Sequence, residues 1–175
     1  GRVGERSNEG TYRCAGPCKS SSKAVWKQAA HAETARSTGV CYGIGMFDLQ
    51  KAFERVPWDI LVVAAEECKY NLYMLRLSLA AYALDKTVTT NGASSAFVKA
   101  SRGITAGSSF ATIELRVLLL STMDVITRTH RIVTLTVYVD DVSIEGVGSI
   151  AMFRQQWISA MRLLVARFLP TFGSS

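Results

Sequence analysis

The sequence predicts an α+β fold with helices packed on one face of an antiparallel sheet, and three observations lead there. Residues 40–49 and 133–145 alternate side chains with a strand period, the second run broken by an acidic pair. Residues 60–84, 110–128 and 153–168 repeat apolar side chains at helical spacing. Between these groups, Asn91-Gly92 joins two short β-rich runs, the signature of a tight hairpin. A chain of 175 residues, 49% hydrophobic, is long enough to bury one core, which excludes disorder throughout.

In chain order, residues 1–23 are rich in Gly, Ser, Arg and Lys without apolar periodicity, so a flexible basic segment is expected there. One domain is expected over residues 24–175. Ala residues and Trp26 give a short helix over 24–36 that Gly39 ends. The strand at 40–49 places Tyr42, Ile44, Met46 and Asp48 on one face, and Gly43, Gly45 and Phe47 on the other. Pro57 suits a helix start. Residues 60–69 and 72–84 are so widely apolar that two buried helices beneath the sheet are expected. A Gly-flanked loop at 102–109 precedes the helix at 110–128, and strands at 133–138 and 142–145 form a second hairpin. Phe153, Trp157, Met161, Leu164 and Phe168 make a core-facing stripe that Pro170 and Gly173 close. The second sheet face should stay open.

The net charge is +6, and residues 1–36 hold seven Lys/Arg against three acids. A polyanion partner and a solvated tail both fit that asymmetry. Cys14, Cys18, Cys41 and Cys68 form no disulfide framework, and Cys14 with Cys18 lacks a second pair at zinc-ligand spacing. The start has no signal-peptide pattern, so a reducing, intracellular setting is expected, not secretion. No run of about 18 apolar residues is present, which argues against a membrane partner.

The chemistry concentrates in Tyr138-Val139-Asp140-Asp141, set between apolar runs, with Asp48 ending an upstream strand. Adjacent carboxylates repel and call for solvent, a shared proton or a cation, and a divalent metal is the most economical account. If the first strand lies beside the second hairpin, Asp48 and Asp140 can meet.

Asp48-x-x-x-Ala52-Phe53-Glu54-x-Val56, then Arg102-Gly103-Ile104-x-x-Gly107-Ser108, then Tyr138-Val139-Asp140-Asp141 resemble, in order and spacing, the three palm motifs of reverse transcriptases, especially those of non-LTR-like retrotransposons. The resemblance covers residues 24–168 and implies a polymerase palm-like, ferredoxin-like sheet with partial fingers and no thumb. It therefore implies a fragment of a longer chain bearing fingers, thumb or endonuclease domains, placed in the nucleus or cytoplasm. The implied activity is RNA-directed DNA polymerisation by two Mg²⁺ ions, or Mn²⁺, on an RNA template and DNA primer with deoxynucleoside triphosphates. Asp48 and Asp140 would ligate both metals, Asp141 would complete the cluster, and the Leu49 carbonyl would be a further ligand. Phe53 matches the gate that excludes a 2′-hydroxyl. Gly107 and Ser108 would meet the nucleotide, and Arg102, Gly103 and Tyr138 the template or primer. Ala106 stands where the family usually has Gln. Two alternatives stand beside this reading: a catalytically inactive, truncated palm that binds nucleic acid weakly, and an RNA-directed RNA polymerase.

Overall fold

The computed structural model describes residues 12–14 and 21–172. Cys18 and Gly173 lie outside that set. The elements run β1 (Tyr12–Cys14), α1 (Ser21–Thr38), β2 (Cys41–Asp48), α2 (Trp58–Glu67), α3 (Leu72–Tyr82), β3 (Thr89–Thr90) and β4 (Ala93–Ser94). They continue as α4 (Ala111–Thr129), β5 (Val133–Tyr138), β6 (Asp141–Gly148), α5 (Ile150–Met152), a π-helical turn (Phe153–Trp157) and α6 (Ile158–Phe172). The main sheet has the order β1-β5-β6-β2, with β1 parallel to β5 and the other pairs antiparallel. This is an α+β architecture.

Local chemistry sets most boundaries. Gly39 takes φ +69° after α1 while the Val40 amide donates to the Ala35 carbonyl, the six-to-one bond of a Schellman end. Lys69 does the same for α2 at φ +54°, with Tyr70 donating to Ala65. Asn71 caps α3 by accepting from the amides of Tyr73 and Met74. Asn91 and Gly92 both have positive φ, as a two-residue I′ hairpin requires.

The core lies between the sheet and α4. Leu115, Leu119, Met123 and Ile126 of α4 are fully buried against Leu135 and Ile144 of the sheet. Each such side chain contributes about 1.5–3 kcal/mol through its burial. Behind α4 pack α2 and α3, which contribute Leu61, Ala65 and Leu75.

Close packing between the sheet and the last helix depends on glycines. A Cβ at Gly43 would lie 2.5 Å from Phe153 Cζ and one at Gly45 2.7 Å from Met161 Cε, while at Gly146 it would overlap Trp157 Cδ1. These glycines form a trough that receives the stacked rings of Phe153 and Trp157, whose centroids are 4.9 Å apart.

Four expectations need correction. Tyr12–Cys14, inside the segment expected to be flexible, is a strand, because the outer edge of β5 offers its amides and carbonyls as partners. The second sheet face is not wholly open: α1 lies on it, with Gln28 Nε2 donating to Ser143 Oγ at 2.7 Å. That placement leaves Trp26 76% exposed, since Ala24, Gln28 and Ala35 define the sheet-facing side and Trp26 falls opposite them. Next, α2 and α3 pack on α4 instead of under the sheet, and leave Val63, Tyr73 and Leu77 exposed. Finally, α6 continues through Pro170 to Phe172. The proline forgoes one amide bond, while Phe172 is buried edge-on to Phe168 and its carbonyl accepts from Arg55 at 2.8 Å.

Substituting Gly146→Ala should destabilise the fold by about 1–3 kcal/mol through overpacking against Trp157. A chemical-denaturation midpoint checks this, and an unchanged midpoint would show that the trough can relax.

Candidate active site

The β2–β6 register sets the geometry of the acidic end of the sheet. Phe47 pairs with Val142 and Asp48 with Asp141, while Tyr138 pairs with Asp141 from the other side. Directly paired residues share a face, so Asp48, Asp141 and Tyr138 all emerge opposite the core. Asp48 and Asp141 are exposed, and Asp140 is half-buried. The upstream acid thus opposes Asp141; Asp140 occupies the turn beside the pair. Among the described residues, no three His, Cys, Asp or Glu side chains converge closely enough to hold a metal ion.

The turn that presents Asp140 is strained. Val139 has φ +61°, a conformation costly for a β-branched residue. With positive φ at the first loop position only, the two-residue connection follows the II′ pattern, where glycine is usual.

The first and second motifs are joined to each other by backbone and indole hydrogen bonds. Leu49 is buried, and its carbonyl accepts from the Ala52 amide. Phe53 is half-buried against the core, and its carbonyl accepts from Ile104 N–H at 2.7 Å. Gly103 N–H donates to Val56 at 2.8 Å, and Trp58 Nε1 donates to the Gly103 carbonyl at 2.7 Å. Gly103 has φ +95°, and a Cβ there would lie 2.8 Å from the Glu54 carbonyl oxygen, so two requirements select glycine. Arg102 beside it is exposed. Gly107, at φ +90°, and Ser108 form the turn ahead of α4. Ser108 Oγ accepts from the Phe110 amide and lies 3.1 Å from Tyr82 Oη, which also donates to Glu114 Oε2 at 2.8 Å.

Two buried acids were not anticipated. Glu114 and Glu145 are each 1% exposed, and Glu114 Oε1 and Glu145 Oε2 find no hydrogen-bond partner among the described residues. Glu145 Oε1 accepts from Tyr42 Oη at 2.9 Å and lies 3.4 Å from His31 Nδ1 of α1. Burial first, then the Glu145 hydrogen bond and charge, push the Tyr42 phenol up to about 12. Burial likewise raises Tyr82, with Glu114 adding to the effect. The strand alternation that puts Asp141 on this face also puts Ser143 and Glu145 there; what the sequence does not signal is that α1 covers them.

No protein-family model matches the chain, and no curated protein matches it. Among solved structures, its fold is similar to telomerase from Candida albicans in complex with the TWJ fragment of telomeric RNA. The TM-score is 0.63 at 14% identity, with 94% of this chain covered. The chain spans 30% of that telomerase chain. A likeness at this identity establishes a shared fold. Among the described residues, no helix is long and apolar enough to cross a membrane.

Since the Tyr42 pKa is raised above its ordinary 10.0, the neutral phenol's contribution to stability is fully present below pH 10 and is lost as pH rises toward about 12. In an ultraviolet phenolate titration, Glu145→Gln should move the latest-titrating tyrosine down toward its ordinary value. No movement would mean that Glu145 does not act on Tyr42. Gly103→Ala should cost about 1–3 kcal/mol in a denaturation experiment, from positive φ and the Glu54 carbonyl together.

Proposed function

We propose that the chain is the palm of a templated nucleotidyltransferase that extends a DNA primer on an RNA template, a reverse transcriptase of non-LTR-like retrotransposon type. The direct opposition of Asp48 and Asp141 at the exposed end of the sheet face that α1 partly covers, with Asp140 in the adjoining turn, carries this reading. Opposed like charges destabilise a strand pair, so a site that retains them has a use for a counter-charge. Hard divalent cations prefer carboxylate and carbonyl oxygen. Asp48, Asp140 and Asp141, which this structure does not gather into one ligand cluster, would have to draw together to hold Mg²⁺ or Mn²⁺, and the Leu49 carbonyl, which already accepts from Ala52, keeps a second lone pair for the same use. When bound, such ions activate an attacking hydroxyl and neutralise charge on the transferring phosphoryl group.

The remaining residues supply position. Tyr138 shares the face of the acids, where an apolar ring can support a primer terminus. Gly103 and Gly107 give template and nucleotide a backbone approach without side-chain obstruction, and Arg102 beside them can meet a phosphate. Ser108 presents a hydroxyl at the start of α4. Phe53, fixed through its carbonyl to Ile104, is proposed as the gate that selects deoxynucleotides. The fold shared with part of a telomerase, a protein seen with RNA, supports an RNA partner. Fingers, thumb or endonuclease domains would belong to a longer parent acting in the nucleus or cytoplasm.

Primer extension on an RNA template, in this chain and in a chimera carrying fingers and thumb, tests the reading. Asp48→Asn and Asp141→Asn should each lower incorporation about a thousandfold or more, the equivalent of several kcal/mol of transition-state stabilisation. Incorporation equal to that of the parent, or no dependence on divalent metal, would overturn it. Phe53→Val should reduce discrimination against ribonucleotides by about tenfold or more, and unchanged discrimination would remove Phe53 from the gate.

A further inference from the structure

The outer side of α1 carries the largest exposed aromatic surface among the described residues. Trp26 is 76% exposed, although tryptophan is on average a well-buried residue. The helix orientation that causes this is fixed by three polar ties to the sheet: Gln28 to Ser143, Tyr42 to the Gln28 carbonyl, and His31 beside Glu145. Ala24, Gln28 and Ala35 face the sheet. Trp26, two residues from both Ala24 and Gln28, is turned about 200° from them and faces away.

Its helical neighbours leave the ring accessible. Three and four residues on stand Ala29 and Ala30, whose methyl groups cannot shield an indole. Lys23, three residues before, and Lys27, adjacent, bring positive charge to the same side, and both are exposed. Residues 1–36 hold seven Lys/Arg against three acids, giving +4 of the chain's net charge of +6. A flat, open ring beside cationic side chains matches the two recurring parts of single-strand recognition: base stacking, which tolerates any sequence, and phosphate contact.

We propose that the outer face of α1 binds single-stranded nucleic acid, with Trp26 stacking on an unpaired base and Lys27 contacting the backbone. This surface is on the opposite side of α1 from the acidic sheet face. It goes beyond the palm assignment and does not require catalysis or metal.

Titrating the whole chain with a 12-nucleotide oligouridine, without divalent metal, and following tryptophan fluorescence tests this. Trp58 and Trp157 are less exposed and supply background emission. Saturable quenching is expected. Trp26→Ala should weaken binding by about fivefold to a hundredfold, and Trp26→Phe should retain most of it. Lys27→Gln should reduce the slope of log affinity against log salt by about 0.7, the value for one phosphate contact on a single strand. Phe97→Ala, which removes a comparably exposed ring outside α1, should bind like the parent. If Asp48→Asn leaves incorporation unchanged while the quenching persists, the palm reading fails and this one stands. Unchanged affinity in Trp26→Ala, absence of binding, or burial of Trp26 by self-association at rising protein concentration would each overturn it, the last by assigning the face to a second copy of the chain.

Discussion

The register of β2 against β6 is the constraint on which the rest of the molecule depends. Pairing Asp48 with Asp141 also pairs Phe47 with Val142 and Gly45 with Ile144, so one choice settles both faces. A slip of one residue would turn the glycines outward and the carboxylates into the core. The alternation protects against this twice. Inward, the ring of Phe153 occupies space that only a missing side chain leaves at Gly43. Outward, Tyr42 and Glu145 meet under α1 only in the observed alignment. The acidic pair is therefore held in opposition by packing elsewhere in the sheet.

Much of this was legible in the chain because the informative residues act locally. Asn91-Gly92 specifies its own turn, Gly39 ends its own helix, and the apolar period of α4 is strong enough to stand without context. The acidic hairpin was legible for a related reason: its flanking runs alternate with a strand period and meet at the acidic pair, although the structure starts the second strand one residue earlier, at Asp141.

What was not legible depends on partners distant in sequence. A three-residue strand such as Tyr12–Cys14 has no periodicity to detect and exists because an edge of β5 is available. The side on which α1 settles is decided by polar bonds to Ser143 and Glu145, which an apolar count along the helix does not register. The stacking of α2 and α3 on α4 reflects how much sheet surface the last helix already occupies. Pro170 was read as a stop because a proline usually is, yet the Arg55 bond to the Phe172 carbonyl and the burial of two rings hold the last turn in place.

The strand order has a consequence for how the chain comes to be folded. Both early strands, β1 and β2, sit at the two edges of the sheet, and their only partners are β5 and β6 near the other end of the described chain. On a ribosome, neither could pair until nearly all of these residues had emerged. Contacts of such long sequence separation form late and slowly, which leaves β2 with Phe47 uncovered and its backbone edges unpaired in the meantime. The helices α2 and α3 contact one another over a short separation, and α4 joins α2 over a shorter span than either edge strand needs, so the helices can assemble first. The acidic face would then be among the last parts of the molecule to exist, created when β6 closes against a strand that has waited for it.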